Sequence, residues 1–233
     1  MKYENEVLFL LAQNCFNDSR SYYEEHKLEL KQKATVPTRQ IAAELSDQLS
    51  RIDSKMNLNP TKMVSRIVRD TRFSKNKTLY RDCVWCRFMR AKNEWRYHSC
   101  MWFEFSPRDF TQGVGFFRCH PGVMAEFRKT LQDPQKAKQF KKAIASAEKF
   151  GAIGYSVQYK REKEGSENIE DKLKPYYNAK EFYFLKSTDE LEILFDGSLL
   201  GELETGIKAF EPMYKFLLEI TEEMIAKKLI DEI

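Results

Sequence analysis

The sequence predicts an α+β protein in which helices pack on a mostly antiparallel sheet and a long helical segment forms the C-terminal part. Three observations carry that expectation. Apolar residues recur at helical spacing over residues 4–52 and again from residue 121 onward; residues 63–119 alternate at strand period and are rich in aromatic side chains; and no repeat or low-complexity tract breaks the succession. A chain of 233 residues is long enough for one domain with a substantial core, expected here over 1–233: N-terminal helices over 1–55, a β-rich core over 60–120, and helices with two further short strands over 121–233.

Val7, Leu8, Leu11 and Ala12 mark a short amphipathic helix over 4–15. Asn17, Asp18 and Ser19 offer caps to a second helix over 20–35; Val36 and Pro37 punctuate it, and Thr38 caps a third reaching residue 52, with Ile41, Ala42, Leu45 and Leu49 as its stripe. A strand is expected over 63–68 and another over 83–90. A hairpin comes next, with arms 100–105 and 110–119 turning on Ser106, Pro107, Arg108 and Asp109. On its first arm Met101, Phe103 and Phe105 share a face, and Cys100, Trp102 and Glu104 the other. Gly113 and Gly115, two apart on the second arm, mark a bulge, a close approach by another backbone or a ligand, or simply room for a neighbouring ring. Pro121 opens a helix to residue 131, and Asp133 with Pro134 opens the next, to residue 150. Residues 155–161 alternate as a strand, 162–174 form a charged loop, and 181–185 a short apolar strand. Asp189 caps a brief helix to Phe195. The last segment carries a stripe of Leu203, Ile207, Phe210, Tyr214, Leu217 and Met224, with Pro212 expected to kink or break it.

Hydrophobic content of 42% with 32% charged residues fits a folded globular chain rather than a disordered one. No apolar run approaches the roughly 20 residues of a membrane span, and residues 1–6 lack a secretory pattern, so the expected address is the cytoplasm with no membrane partner. Five cysteines, an odd number, are expected as reduced thiols. Net charge is only +4 but unevenly spread: residues 62–96 hold eleven basic and three acidic residues, a balance of +8, and residues 189–233 hold twelve acids and four lysines, a balance of −8. Such asymmetry suits internal pairing as well as it suits binding nucleic acid.

Residues 66–81 are the candidate site. They carry Arg66, Arg69, Arg72, Lys75, Lys77 and Arg81 against one acid, Asp70. A strand would feed a loop of turn-forming residues, where arginine forks match carboxylate or phosphate and Ser74, Thr71 and backbone amides complete an anion cradle. Asp70 would hold one guanidinium and leave the others for a ligand. The plainer alternative is a solvated loop whose arginines pair with acids elsewhere, including those of the last helix. Phe73, Tyr80, Trp85, Trp95 and Tyr97 interleave with the basic residues, as in surfaces where bases stack and cations track phosphates, and also as in an aromatic-rich sheet with polar edges.

Other motifs are weaker. Cys83 and Cys86 form a C-x-x-C with Cys100, Cys119, His98 and His120 as further ligands of a zinc site, but odd spacing on a strand sends the two sulfurs to opposite faces, so buried structural thiols and no metal are expected. His98 and His120 flank strand ends, where a general base would stand, yet no nucleophile accompanies them; His26 reads as a surface residue. Nucleophile elbow, P-loop, dinucleotide fingerprint and zincin motifs are all missing. Asp70 and Glu104 are the candidate acid–base carboxylates.

Arg66 followed by Arg69, Asp70, Thr71, Arg72, Phe73, Ser74 and Lys75, with Tyr80 shortly after, resembles the signature of the conserved family catalogued as domain of unknown function 2461. Asn17, Asp18, Ser19, Arg20, Ser21, Tyr22 and Tyr23 resemble its early Asn-Asn then Trp-Phe motif. Phe103 to Pro107, through Gly113 and Gly115, resembles its glycine-bearing hairpin, and the Pro121 helix, Lys186 and residues 212–217 agree in order. Asp18 stands where a second Asn is usual, Tyr22 and Tyr23 replace Trp and Phe, and Leu79 sits where Pro is common. The resemblance implies a single α+β domain; it brings no established activity, cofactor or catalytic residue. The functional expectation is a small anionic or phosphate-bearing ligand held by Arg66, Arg69, Arg72, Ser74, Lys75 and Tyr80, with Asp70 or Glu104 as acid–base group if there is a reaction. The alternative is a nucleic-acid-associated or protein-interaction module.

Overall fold

The computed structural model describes residues 1–90 and 95–227. α1 (Val7–Asn17) buries Val7, Leu10, Leu11 and Asn14. That stripe is rotated from the expected one: Leu8 and Ala12 are only half-buried, and Phe9 and Phe16 face solvent. The sequence expects α2 (Arg20–Leu30) and α3 (Val36–Glu44) to part at Pro37. They do not, because Lys31–Thr35 form a π turn in which the Val36 N–H reaches the Lys31 carbonyl. Proline lacks an N–H and crowds the preceding turn, and the widened turn sits where that crowding falls. Thr38 is therefore no cap; its hydroxyl donates to the Ala34 carbonyl at 2.7 Å and accepts from Tyr3 Oη at 2.8 Å. α4 (Ser46–Ile52) and α5 (Pro60–Met63) come next, the latter capped by the Asn59 side chain, which accepts from the Thr61 N–H.

Five strands form one antiparallel sheet packed by helices: β1 (Val84–Phe88), β2 (Cys100–Phe105), β3 (Phe110–Phe116), β4 (Ile153–Gln158) and β5 (Ala179–Thr188), in the order β1-β2-β3-β5-β4. The first hairpin arm falls as expected and the second, expected to residue 119, ends at Phe116; Ser106 ties the turn by donating from Oγ to Asp109 Oδ1 at 2.6 Å. The strand expected over 63–68 is reduced to two isolated antiparallel bridges, Val64 with Cys86 and Val68 with Tyr80. Val68 lies four residues beyond Val64, whereas Tyr80 lies six before Cys86, and that two-residue mismatch interrupts the ladder.

Gly115 resolves the alternatives left open by the paired glycines. A Cβ there would sit 2.5 Å from the Phe182 carbonyl oxygen and from Tyr183 Cα, so the residue admits the close approach of the β5 backbone. α6 (Pro121–Leu131) and α7 (Pro134–Lys149) succeed the hairpin; Asp133 Oδ1 caps α7 by accepting from the Gln135 and Lys136 N–H groups at 2.7 and 3.3 Å. After α8 (Lys174–Tyr177) and β5, only a 3₁₀ turn, Leu191–Leu194, stands where a brief helix from Asp189 is expected. α9 (Leu199–Ala226) runs unbroken past Pro212. Pro212 and Lys208 lie on its exposed face, where the carbonyl without a helical partner meets water, while Phe210, Met213, Tyr214 and Leu217 are buried on the other.

Two compact units are distinguished: Met1–Phe88, Trp102–Gln112 and Ser187–Glu204, and Met89–Met101, Gly113–Lys186 and Thr205–Ile233, of which residues 91–94 and 228–233 are outside the description. The first is centred on Leu11, Ile41, Leu49, Val84, Phe103 and Phe105, all excluded from water. The second has an aromatic core in which Phe127 meets Phe182 at 4.9 Å and Phe140 meets Phe216 at 5.1 Å between ring centroids. Among the described residues no helix is long and apolar enough to cross a membrane.

Candidate functional site

The basic segment lies in the first unit, where its two ends run side by side. Arg69 N–H donates to the Leu79 carbonyl at 2.8 Å and Arg81 N–H to the Ile67 carbonyl at 2.9 Å, so residues 70–78 project as a loop. Asn76 builds an Asx turn inside it, accepting from the Thr78 N–H at 2.9 Å, and the Ser74 N–H closes on the Thr71 carbonyl at 3.2 Å. Asp18, in left-handed conformation after α1, accepts from the Leu79 and Tyr80 N–H groups at 2.6 and 3.3 Å. That bond fastens the base of the loop to the α1–α2 turn.

The charged groups do not all do the same thing. Asp70 grips Arg72 with both oxygens, from Nε at 2.9 Å and Nη2 at 2.7 Å, and Arg72 holds the Asp70 carboxyl down to about 2. Lys77 Nζ donates to the Thr71 carbonyl at 3.0 Å. Arg81 Nη1 lies over the Arg66 and Val68 carbonyls at 3.3 and 3.4 Å; burial lowers its pKa, and Arg69 and Arg66 press in the same direction. Among the described residues Arg66, Arg69 and Lys75 have no side-chain hydrogen bond or ion pair. Tyr80 is buried and stacks on Tyr23 at 4.7 Å, so its ring serves packing. Phe73, by contrast, is 96% exposed.

Glu104 stands half-buried on β2. Burial raises its carboxyl pKa, Asp109 and Asp82 push it the same way, and Arg81 and Arg108 oppose. The carboxylates acting most on it are thus Asp109 and Asp82. Asp82 is itself held by Arg108 Nη1 at 2.6 Å. Beside them the Cys83 thiol is pushed up to about 12, first by burial and then by Glu104 and Asp82, and so stays protonated and unreactive at neutral pH. Cys86 is buried and its thiol is raised as well. No group of metal-binding side chains occurs among the described residues. His120 is a helix cap, its Nδ1 accepting from the Gly122 N–H at 3.2 Å, and His26 Nδ1 pairs with the Tyr22 carbonyl at 2.9 Å.

The acids of α9 take other partners: Glu211 pairs with Lys215, Glu219 with Lys136 and Glu222 with Arg90. Bracing by that helix accordingly falls to Arg90 from the basic region, while Arg72 is served locally by Asp70.

A conserved-hypothetical-protein family model, DUF2461, matches residues 6–216. The chain belongs to that family. No curated protein and no solved structure is matched. Within the DUF2461 match, Leu79 and Asp18 meet in space: the Leu79 N–H, a donor that a proline would lack, reaches the Asp18 carboxylate. Tyr22 and Tyr23 serve packing, Tyr23 against Tyr80 and Tyr22 against His26 at 4.1 Å. Sequence reasoning missed the Asp18 link and the Asp82–Arg108 pair, of which only Asp18 had a signal, as a turn residue after α1; Cys83, expected as a buried structural thiol, is half-buried.

Proposed function

We propose that this protein binds a small anionic, phosphate-bearing ligand beside residues 66–81, with Arg66 and Arg69 as its principal cations and Arg81 behind them. The carrying observation is that Arg72 is neutralised by Asp70 while Arg66 and Arg69 have no carboxylate partner among the described residues, leaving like charges that press on Arg81. An anion placed there relieves that repulsion. Lys75 and the Ser74 hydroxyl at the loop are the secondary contacts. Glu104, whose carboxyl holds its proton to higher pH than usual, is the better of the two acid–base candidates, since Asp70 is fixed as an ionised partner of Arg72. Thermal-shift titration with pyrophosphate tests the reading. The intact protein should be stabilised, Arg66→Ala and Arg69→Ala should lose the shift, and equal shifts in all three would refute it.

A second reading, a nucleic-acid surface, is favoured by Phe73, fully exposed with the Arg72 guanidinium 5.9 Å from its ring centroid. It requires oligonucleotide affinity that falls steeply with salt, and a flat response removes it.

A further inference from the structure

The second unit contains a cavity of about 490 Å³ that none of residues 66–81 lines; its walls include Trp95, Arg96, Arg118, Val157, Lys180 and Glu181. Surface cations alone make a solvated face, but here two backbone departures bring them to one place. Arg118 is a non-glycine residue in left-handed conformation, with φ of 49°. On the opposite wall Val157 pairs with Glu181 and Gln158 with Ala179, so Lys180 is the extra residue of a β-bulge in β5. Regular alternation would send Lys180 and Glu181 to opposite faces of the sheet, yet both line the cavity.

The chemistry of the walls is that of an anion site with a flat apolar flank. Three cations face one carboxylate, and that carboxylate, on Glu181, already accepts the Arg118 backbone N–H. Arg96 Nε donates to the Arg118 carbonyl at 3.0 Å, which fixes the guanidinium on the wall. Among the described residues none of Arg96, Arg118 and Lys180 has a carboxylate partner. Trp95 lies against Phe117 at 6.5 Å and 29°, and Arg118 covers the same Phe117 ring at 5.4 Å, so the aromatic side is held in place. The volume falls in the range of small-molecule sites, roughly 300–1,000 Å³.

We propose that this cavity binds a nucleoside monophosphate, with Arg96, Arg118 and Lys180 receiving the phosphate and Trp95 taking the planar base. The test is calorimetric titration of the full chain with AMP, inorganic phosphate, adenosine and a thymidine decanucleotide. AMP should bind more tightly than phosphate or adenosine. Lys180→Ala and Arg96→Ala should each weaken AMP by about tenfold or more, the loss of one charged hydrogen bond. Trp95→Leu should weaken AMP and leave phosphate unchanged. Circular dichroism of each variant verifies folding, and Lys180→Gln or Arg96→Gln replaces the alanine variant at the same position if that variant fails it. The proposal is overturned if AMP does not bind, binds no better than phosphate, or is indifferent to both Arg96→Ala and Lys180→Ala. A decanucleotide binding about a hundredfold more tightly than AMP also overturns it, reassigning the cavity to a nucleic-acid strand.

Discussion

Residues 66–81 and the cavity beside Lys180 are both basic, but they acquire that character in opposite ways. In the first, charge is dense along the chain and dispersed in space: Arg72 turns to Asp70, Lys77 to the Thr71 carbonyl, and Arg81 to two carbonyls. In the second, Arg96, Arg118 and Lys180 are far apart in the chain and are gathered by a left-handed residue and a bulge. Linear charge density is thus a poor guide to where positive potential collects; side-chain pairing and backbone irregularity decide it.

The strongest test of the contrast disturbs the bulged strand on one side only. Gly115→Ala should destabilise the protein by about 3 kcal/mol or more in urea, because its Cβ would collide with the main chain of β5, which carries the bulge. If it folds, AMP binding should go while the pyrophosphate shift remains. Next in size, Asp18→Ala should cost about 0.5–1.5 kcal/mol by removing the acceptor of the Leu79 and Tyr80 N–H groups, and should speed amide exchange at those positions. Asp18→Asn, which keeps an acceptor, should recover most of the loss.

A smaller change sharpens the other side. Asp70→Asn releases Arg72 from its carboxylate, so pyrophosphate affinity should rise by about two- to tenfold with little change in melting temperature, the pair being exposed. Weaker binding in this variant would mean that Asp70 positions the site. The smallest effect concerns Glu104. Its folded pKa lies above the ordinary 4.5, so the protonated form stabilises the fold below that value and the contribution is lost as pH rises through the raised one. Glu104→Gln should therefore melt together with the unaltered protein well below pH 4.5 and at a higher temperature than it at pH 7.

The features legible in the sequence were local. The hairpin of β2 and β3 follows from alternation joined to a Ser-Pro-Arg-Asp turn, though its second arm stops three residues short of the expected 119, and the start of α7 follows from Asp133 before Pro134, since each signal lies within a few residues of the element it specifies. The Asp70–Arg72 grip is equally local and equally readable. The expectations that failed depend on distant partners. Pro212 breaks an isolated helix, but the buried face of α9 outweighs it. The segment 63–68 has strand composition and lacks a partner in register. Asp18 meets Leu79 across sixty-one positions, and Lys180 becomes a bulge only because β4 pairs around it, so neither neighbourhood names its partner.

The π turn at Lys31–Thr35 makes chain length negotiable at one point. A widened turn accommodates one residue more than a regular one while keeping the orientation of the helix beyond it. A relative shorter by a single residue here would still present Ile41 and Ala42 to the interior, so the hydrophobic faces of α2 and α3 tolerate a length difference that would misalign any ordinary helix.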